Sequence, residues 1–332
     1  MSEPLDPALR DIVTIVPEQG LLAMAGAPVN PFVTIIARPG TGHADFRYFI
    51  CNWQVGPHHR VIATLPYVEH LRALMRSSGQ PVRRDAQIVF QLEDNPLHYS
   101  SVSWEVQKGW DGIRLIPDLY YFMAGGYESF DPELIRWEDR RPSIVWRGSS
   151  TGLPRLLQTR DHLDDLPRYR MCKFATALGA KADVGLTDVV QTAGPEDDAL
   201  IRERLTREGL LKPFVPMAEM ARHCFMLDID GNSNSWNFMQ KLRLGCCVLR
   251  VESDWQQWFS DRLIAWRHYI PIAADLSDLA ERAEWCFANP AECSAIATSG
   301  RQFALDMKFS EEMSRAAITA FAAADATERA SR

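Results

Sequence analysis

The chain has 332 residues, 46% hydrophobic and 24% charged, with a formal net charge of −7. That apolar content excludes a disordered chain, and the length suits two domains of about 150 residues or one large one. An acidic balance without a long basic run excludes wholesale binding to a nucleic-acid backbone, while local arginine clusters stay free to hold a small anion.

No internal repeat stands out, and short β-rich runs alternate with helical patterns. PFVTIIARP (31–39) reads as a strand followed by a turn, and VEHLRALMRSSG (68–79) as a helix that stops at Gly79. AQIVFQLED (86–94) is a buried strand running into polar residues, and GIRLIPDLYYF (112–122) is a further β-rich run. The polar segment 128–142, with Pro132 and Pro142, reads as a crossover between an N-terminal and a C-terminal domain. SIVWRGSSTG (143–152), CFMLDIDGN (224–232) and CCVLRVES (246–253) are strands that end in polar loops. WNFMQKLRLG reads as a helix, and HYIPIAADLSDLAERAEWCFAN (268–289) as strand, loop and helix, with the cap near Ser277. The order is that of an α/β protein built on parallel sheets, whose ligands sit beyond the carboxyl ends of the strands.

The seven cysteines lack paired C-x-x-C spacing, so reduced core thiols are expected rather than disulfides or a zinc site. The opening MSEPLDPALRDIV has no basic stretch followed by an apolar one, so no signal peptide is expected. GLLAMAGAPVNPFVTIIA is broken by Pro28, Asn30 and Pro31 and reads as no membrane span. A cytoplasmic location is the expectation, with peripheral contact with a membrane left open.

Four stretches could carry chemistry. In WRGSSTGLPR (146–155), a strand delivers Arg147 and Gly148 to a hydroxyl cluster, Ser149, Ser150 and Thr151. A following helix start suits a phosphate, with Arg147 and Arg155 adding charge, and the bland alternative is an ordinary strand–turn–helix junction. LDIDGNSNSWNF holds a D-x-D, Asp228 and Asp230, which suggests a metal site. A calcium loop begun at Asp230 needs Gly and Glu where Ser235 and Lys241 stand, so that reading fails. Asp230, Gly231, Asn232 and Ser233 form a polar loop able to hold a sugar without metal, or merely an Asx turn and helix cap. Asp94, at the end of the strand in QLEDNP, is a candidate general base or a turn cap ahead of Pro96. Trp266, His268 and Tyr269 read as structural.

Taken in order, W-R-G-S, D-x-D-G-N-x-x-S, L-x-x-G-C-C-V-L-R-V-E-S and W-R-H-Y-I-P-I with D-L-S-D-L resemble glycosyltransferase family 90, the protein O-glucosyltransferase and capsule-associated-protein group. The resemblance runs from about residue 86 to 310 and includes weaker landmarks in Q-L-E-D-N-P and L-I-P-D-L-Y-Y-F. It implies a GT-B type α/β fold, two Rossmann-like domains facing across a cleft. The expected boundaries are 1–138 on the acceptor side, 139–304 for the nucleotide-sugar domain, and a C-terminal helix over 305–332 able to pack back on the first domain. It implies inverting transfer from a UDP-sugar of glucose or xylose type, with no metal required and no other cofactor. The acceptor is expected to be a glycan hydroxyl, on a cell-surface polysaccharide or lipopolysaccharide intermediate. The oligomeric state is not implied.

By the same resemblance Asp94 is the base, Arg147, Gly148, Ser149 and Arg155 form the donor loop, Ser235 starts the donor-side helix, and Asp230 belongs to a loop beside the donor. The neighbouring Ser150, Thr151, Gly231, Asn232, Ser233, Trp236, Asn237 and Lys241 are the further candidates for donor contact. Animal members carry an arginine two residues after the serine that matches Ser235; here that position is Asn237. The missing charge is expected from Arg155 or Lys241. The departure also keeps a second reading open, a nucleotide-sugar-binding module of the same fold with weak or lost turnover.

Overall fold

The computed structural model describes residues 6–43, 45–53, 56–57, 59–84, 87–92, 101–110, 112–127, 134–152 and 157–322. The chain divides into two compact units, Met1–Gly126 with Trp255–Ser260 and Lys308–Arg332, and Tyr127–Asp254 with Asp261–Met307.

The first unit carries β1 (Val13–Val16), α1 (Glu18–Ala25), β2 (Thr34–Pro39), β3 (Phe46–Trp53), β4 (Gly56–Pro57), α2 (His59–Ser78), β5 (Ile88–Gln91), β6 (Ser101–Ser103), β7 (Val106–Gln107), β8 (Ile113–Leu115) and α3 (Leu119–Met123). Its sheet is ordered β1-β3-β2-β5-β6-β8, with β4 on β3. Strand β2 runs antiparallel to both β3 and β5, whereas β1-β3, β5-β6 and β6-β8 are parallel. The short turn 40–45 explains the β2-β3 pairing. Gly40 donates its N–H to the Asp45 carbonyl at 2.7 Å, closing a hairpin where a parallel crossover needs a dozen residues or more.

The run 112–122, expected as β-rich, divides into a strand and a helix. The Asp118 carboxylate accepts the Tyr121 N–H at 2.9 Å and caps the turn that becomes α3. The helix expected over 68–79 is the second half of α2, which begins at His59 and stops before Gly79, whose φ is +68°.

The second unit carries β9 (Arg141–Ser149), α4 (Pro167–Ala175), β10 (Ala182–Asp188), α5 (Pro195–Arg207), α6 (Met217–Met220), β11 (His223–Asp228), α7 (Phe238–Arg243) and β12 (Cys247–Val251). Next in the chain, β13 (Trp255–Gln256) belongs to the first unit, where it pairs with β7. Then follow β14 (Ile270–Ile272), α8 (Leu279–Ala288) and α9 (Pro290–Asp306) in the second unit and α10 (Phe309–Phe321) in the first. Phe321 packs its ring 4.9 Å from Phe46 and 5.8 Å from Phe90, and Arg114 donates to the Thr319 carbonyl at 2.9 Å.

The sheet of the second unit is parallel throughout, ordered β10-β9-β11-β12-β14. Counted within the unit, the order is 2-1-3-4-5, a doubly wound Rossmann-like sheet whose winding reverses between β9 and β11. Its inner strands β11 and β12 are covered on both faces, so their sequences are nearly continuous apolar runs. All six residues of β11 and all five of β12 are buried. Tyr169 and Cys172 of α4, Ile201 and Leu205 of α5 and Cys286 of α8 share one core with Ile144, Phe225, Leu227 and Leu249. All seven cysteines are free and buried. No described helix is long and apolar enough to cross a membrane.

Close packing of α9 on the chain entering β14 depends on one glycine. A Cβ at Gly300 would overlap the carbonyl oxygen of His268, a main-chain atom with no rotamer to retreat to. Gly300→Ala is expected to cost about 1–3 kcal/mol, read as a lower urea midpoint; an unchanged midpoint would show the approach to be looser.

Candidate donor site at the switch point

At the winding reversal, the loops leaving β9 and β11 meet. The Gly152 N–H donates to Asn232 Oδ1 at 3.2 Å. A Cβ at Gly231 would come within 3.1 Å of both Thr151 Oγ1 and Arg168 Nη2, so a larger residue would have to push these side chains aside by a few tenths of an ångström. Arg168 reaches the spot from the first turn of α4, whose start is set by Pro167. Its guanidinium donates to Thr151 Oγ1 at 2.6 Å, the Asp230 carbonyl at 2.8 Å and the Ser149 carbonyl at 3.2 Å. Its Cζ lies 5.7 Å from the Trp146 ring centroid. Among the described residues, no carboxylate lies within ion-pair distance of Arg168. Burial outweighs the attraction of Asp228 and Asp230 and pushes it down to about 10, so it stays charged near neutrality. A half-buried cation held by carbonyls and a hydroxyl keeps its positive field for an incoming anion.

Beneath this loop lies a buried charge cluster. The Asp228 carboxylate accepts from Ser235 Oγ at 2.6 Å and from Lys241 Nζ at 2.6 Å, both on Oδ1. Arg250 Nε stands 3.6 Å from Oδ2, with its guanidinium 4.3 Å from the Phe238 ring centroid. Burial lowers the affinity of Lys241 for its proton, and Asp228 opposes that. Asp230, one turn of loop further, has a different partner, the Ser253 hydroxyl at the end of β12. Burial pushes Asp230 up to about 6, against the Ser253 hydrogen bond and the field of Arg250. The two carboxylates of the D-x-D are thus committed to separate partners.

Several expected contacts find other work. Arg147 leaves β9 on the opposite face from Trp146 and grips Asp183, with Nη2 2.9 Å from each carboxylate oxygen. Its remaining N–H groups donate to the carbonyls of Trp146, Asp183 and Pro213. Burial pushes Asp183 up, but hydrogen bonds from Lys212 and Arg147 outweigh it and hold the carboxyl below its usual range. Arg147 is therefore a structural arginine, not the expected phosphate ligand. Lys241 is likewise corrected: it points inward, neutralised by Asp228.

A Cβ at Gly148 would meet the Trp146 indole at 2.6 Å, so this glycine makes room for the ring. Ser150 is fully buried; its Oγ accepts from the Val190 N–H at 3.0 Å, and its carbonyl accepts from Gln158. It ties the loop to the end of β10 rather than facing a ligand. Ser233 Oγ is buried with no partner among the described residues. Asn237 accepts from Ser235 Oγ at 3.2 Å and precedes α7, while Trp236 is half-buried in the same turn. His268 Nδ1 accepts the Ile264 N–H at 3.1 Å and its ring stacks on Phe303 at 4.7 Å, a structural role. Asp94 and Arg155 lie outside the described residues.

Arg168, Arg250 and Ser253 are the site residues that motif reading missed. Only the L-P-R run, a proline at a helix start, hinted at Arg168. Two substitutions separate structure from binding. Lys241→Met strands a buried carboxylate and should cost about 3–5 kcal/mol in chemical denaturation; a smaller loss would mean the pair is solvated. Arg147→Ala should cost about 1–3 kcal/mol of stability while leaving the UDP dissociation constant unchanged in calorimetry; weakened binding would restore the donor role.

The sequence model of "Glycosyl transferase family 90" matches residues 130–316, more than half of the chain. The chain is 24% identical over 255 residues to "Protein O-glucosyltransferase 1" of Bos taurus, covering 74% of this chain and 59% of that protein. It is 30% identical over 174 residues to "Uncharacterized protein 035R" of Invertebrate iridescent virus 3, covering half of this chain and 15% of that one. The chain thus spans well under two thirds of the length of these relatives. A similar solved structure is that of Anabaena Alr3699/HepE in complex with UDP-glucose, 12% identical, covering 54% of this chain and 48% of that one at a TM-score of 0.37. With the family model covering most of the parallel-sheet unit, the chain belongs to glycosyl transferase family 90.

Proposed function

We propose that the second unit binds the diphosphate of a UDP-sugar, of glucose or xylose type, at the switch point. The protein then transfers the sugar, with inversion, to a hydroxyl of a glycan acceptor in the cytoplasm, a surface polysaccharide or lipopolysaccharide intermediate. The observation that carries this reading is Arg168. It is a charged group without a carboxylate partner among the described residues, placed where α/β sheets bind ligands. Family membership supplies the reaction class.

In the proposed step, the acceptor oxygen bonds to the anomeric carbon as the carbon–oxygen bond to the diphosphate breaks. The hydroxyl proton passes to Asp94, and the electron pair leaves with UDP. A carboxylate suits proton transfer late in an oxocarbenium-like transition state. Negative charge grows on the departing phosphate, and a pre-oriented Arg168 stabilises that charge more than the ground state. We propose that no metal is needed. The carboxylates that would hold one are bonded to Lys241, Ser235 and Ser253, and the cationic role falls to Arg168.

The replacement of the animal arginine by Asn237 favours one competing reading, a donor-binding module without turnover. Arg168→Ala should weaken UDP binding by roughly 1.5–3 kcal/mol, the scale of hydrogen bonds to a charged group; an unchanged constant in calorimetry would remove Arg168 from the site. Asp94→Ala should lower turnover by about 10²–10⁴ with UDP binding retained, and EDTA should leave turnover intact. Tight UDP binding with no turnover on any acceptor would favour the module.

A further inference from the structure

Five ionisable side chains meet under the switch-point loop. Arg168 comes from α4, Lys241 from α7 and Arg250 from β12; Asp228 and Asp230 come from the end of β11 and its loop. Three cations against two carboxylates leave one positive charge among these described groups. The diphosphate of a nucleotide sugar carries two negative charges. A pocket that excludes water tolerates such an imbalance poorly.

We propose that Asp230 is the proton-linked residue of this site, taking up a proton from solvent as a dianionic nucleotide-sugar diphosphate binds beside Arg168. The inference rests on the donor reading above. The carboxylate gains one O–H bond and loses its charge, so pocket and ligand reach balance without moving a cation.

Geometry selects Asp230 over Asp228. Asp228 is clamped by Lys241 at 2.6 Å and faces Arg250, so protonating it would break a buried ion pair. Asp230 accepts from the neutral Ser253 hydroxyl, and no cation lies within ion-pair distance of it among the described residues. Its own carbonyl accepts from Arg168 Nε at 2.8 Å, so its carboxyl group sits on the very residue that positions the cation. The charged groups facing it are Asp228 on its own segment, Arg168 on α4 and Arg250 on β12. Already raised to about 6 by burial, Asp230 is mostly ionised in the empty site at neutral pH. A nearby anion raises it further. By linkage, affinity then rises as pH falls through the bound-state value, and levels off below the empty-state value of about 6.

The test is titration calorimetry of the full chain with UDP-glucose near pH 7.5, in phosphate, HEPES and Tris buffers of different ionisation enthalpy. UDP-glucose has no terminal phosphate to titrate, so any exchanged proton belongs to the protein. Wild-type protein should take up a clear fraction of a proton, about 0.3 or more, and affinity should rise about fivefold or more from pH 8 to pH 6. Uridine should bind without proton uptake. Asp230→Asn should abolish the uptake and the pH dependence, with tighter binding at pH 8. Ser253→Ala, losing a hydrogen bond that favours the carboxylate, should move the pH of maximal uptake upward; this shift and the wild-type slope decide the matter if Asp230→Asn fails to fold, and an unshifted profile overturns the assignment. UDP-glucose binding with no proton exchange, or uptake unchanged in Asp230→Asn, overturns the assignment while leaving the donor site standing. No binding of UDP-glucose or of UDP-xylose at any pH removes the donor reading, and this inference with it.

Discussion

The arrangement of the second unit depends on one carboxylate closed off from water. Asp228 ends the central strand β11 and gathers Ser235 from the following loop, Lys241 from α7 and Arg250 from β12. An ionised carboxyl group is costly to bury alone, so each partner is obligatory and each fixes one element relative to the strand. The loop 229–237 is held at both ends as a result, by Asp228 through Ser235 and by Arg168 through the Asp230 carbonyl. That loop lies at the winding reversal between β9 and β11, against the loop that leaves β9.

Charge in this region is sorted by what neutralises it. Arg147 and Lys212 are paired with Asp183, and Lys241 with Asp228. Among the described cations there, Arg168 is held by carbonyls and a hydroxyl, which fix its position without cancelling its field. A cation fixed in this way loses little conformational entropy when an anion arrives, and it needs no reorganisation as charge develops on a leaving group. Asp230 differs from Asp228 in that its described hydrogen-bond donor is a neutral hydroxyl.

Much of the architecture was legible from residue pattern. The apolar runs IVW, CFML and CVL announced buried parallel strands, because covered strands have no polar face to alternate. The loops after them, at 149–152 and 229–235, were rightly placed at strand ends. Motif order also pointed to the family. Patterning was weaker where local chemistry competes, as at Asp118, where a cap turned the end of a β-rich run into α3. It was silent on the direction of β2, which a short turn decided.

Side-chain assignment divided along a physical line. The sequence by itself determined the positions of β9, β11 and β12, the buried thiols and the polar loop beyond Asp228, since these follow from local geometry and apolar patterning. Which arginine is neutralised by a carboxylate was decided only by the tertiary structure. Arg147, read as a phosphate ligand at a strand end, meets Asp183 from the neighbouring strand, 36 positions away. Arg168, in an unremarked helix start, meets a carbonyl 62 positions away. Neutralisation of a charge depends on partners that sequence separation conceals, and only folding brings them within hydrogen-bond distance.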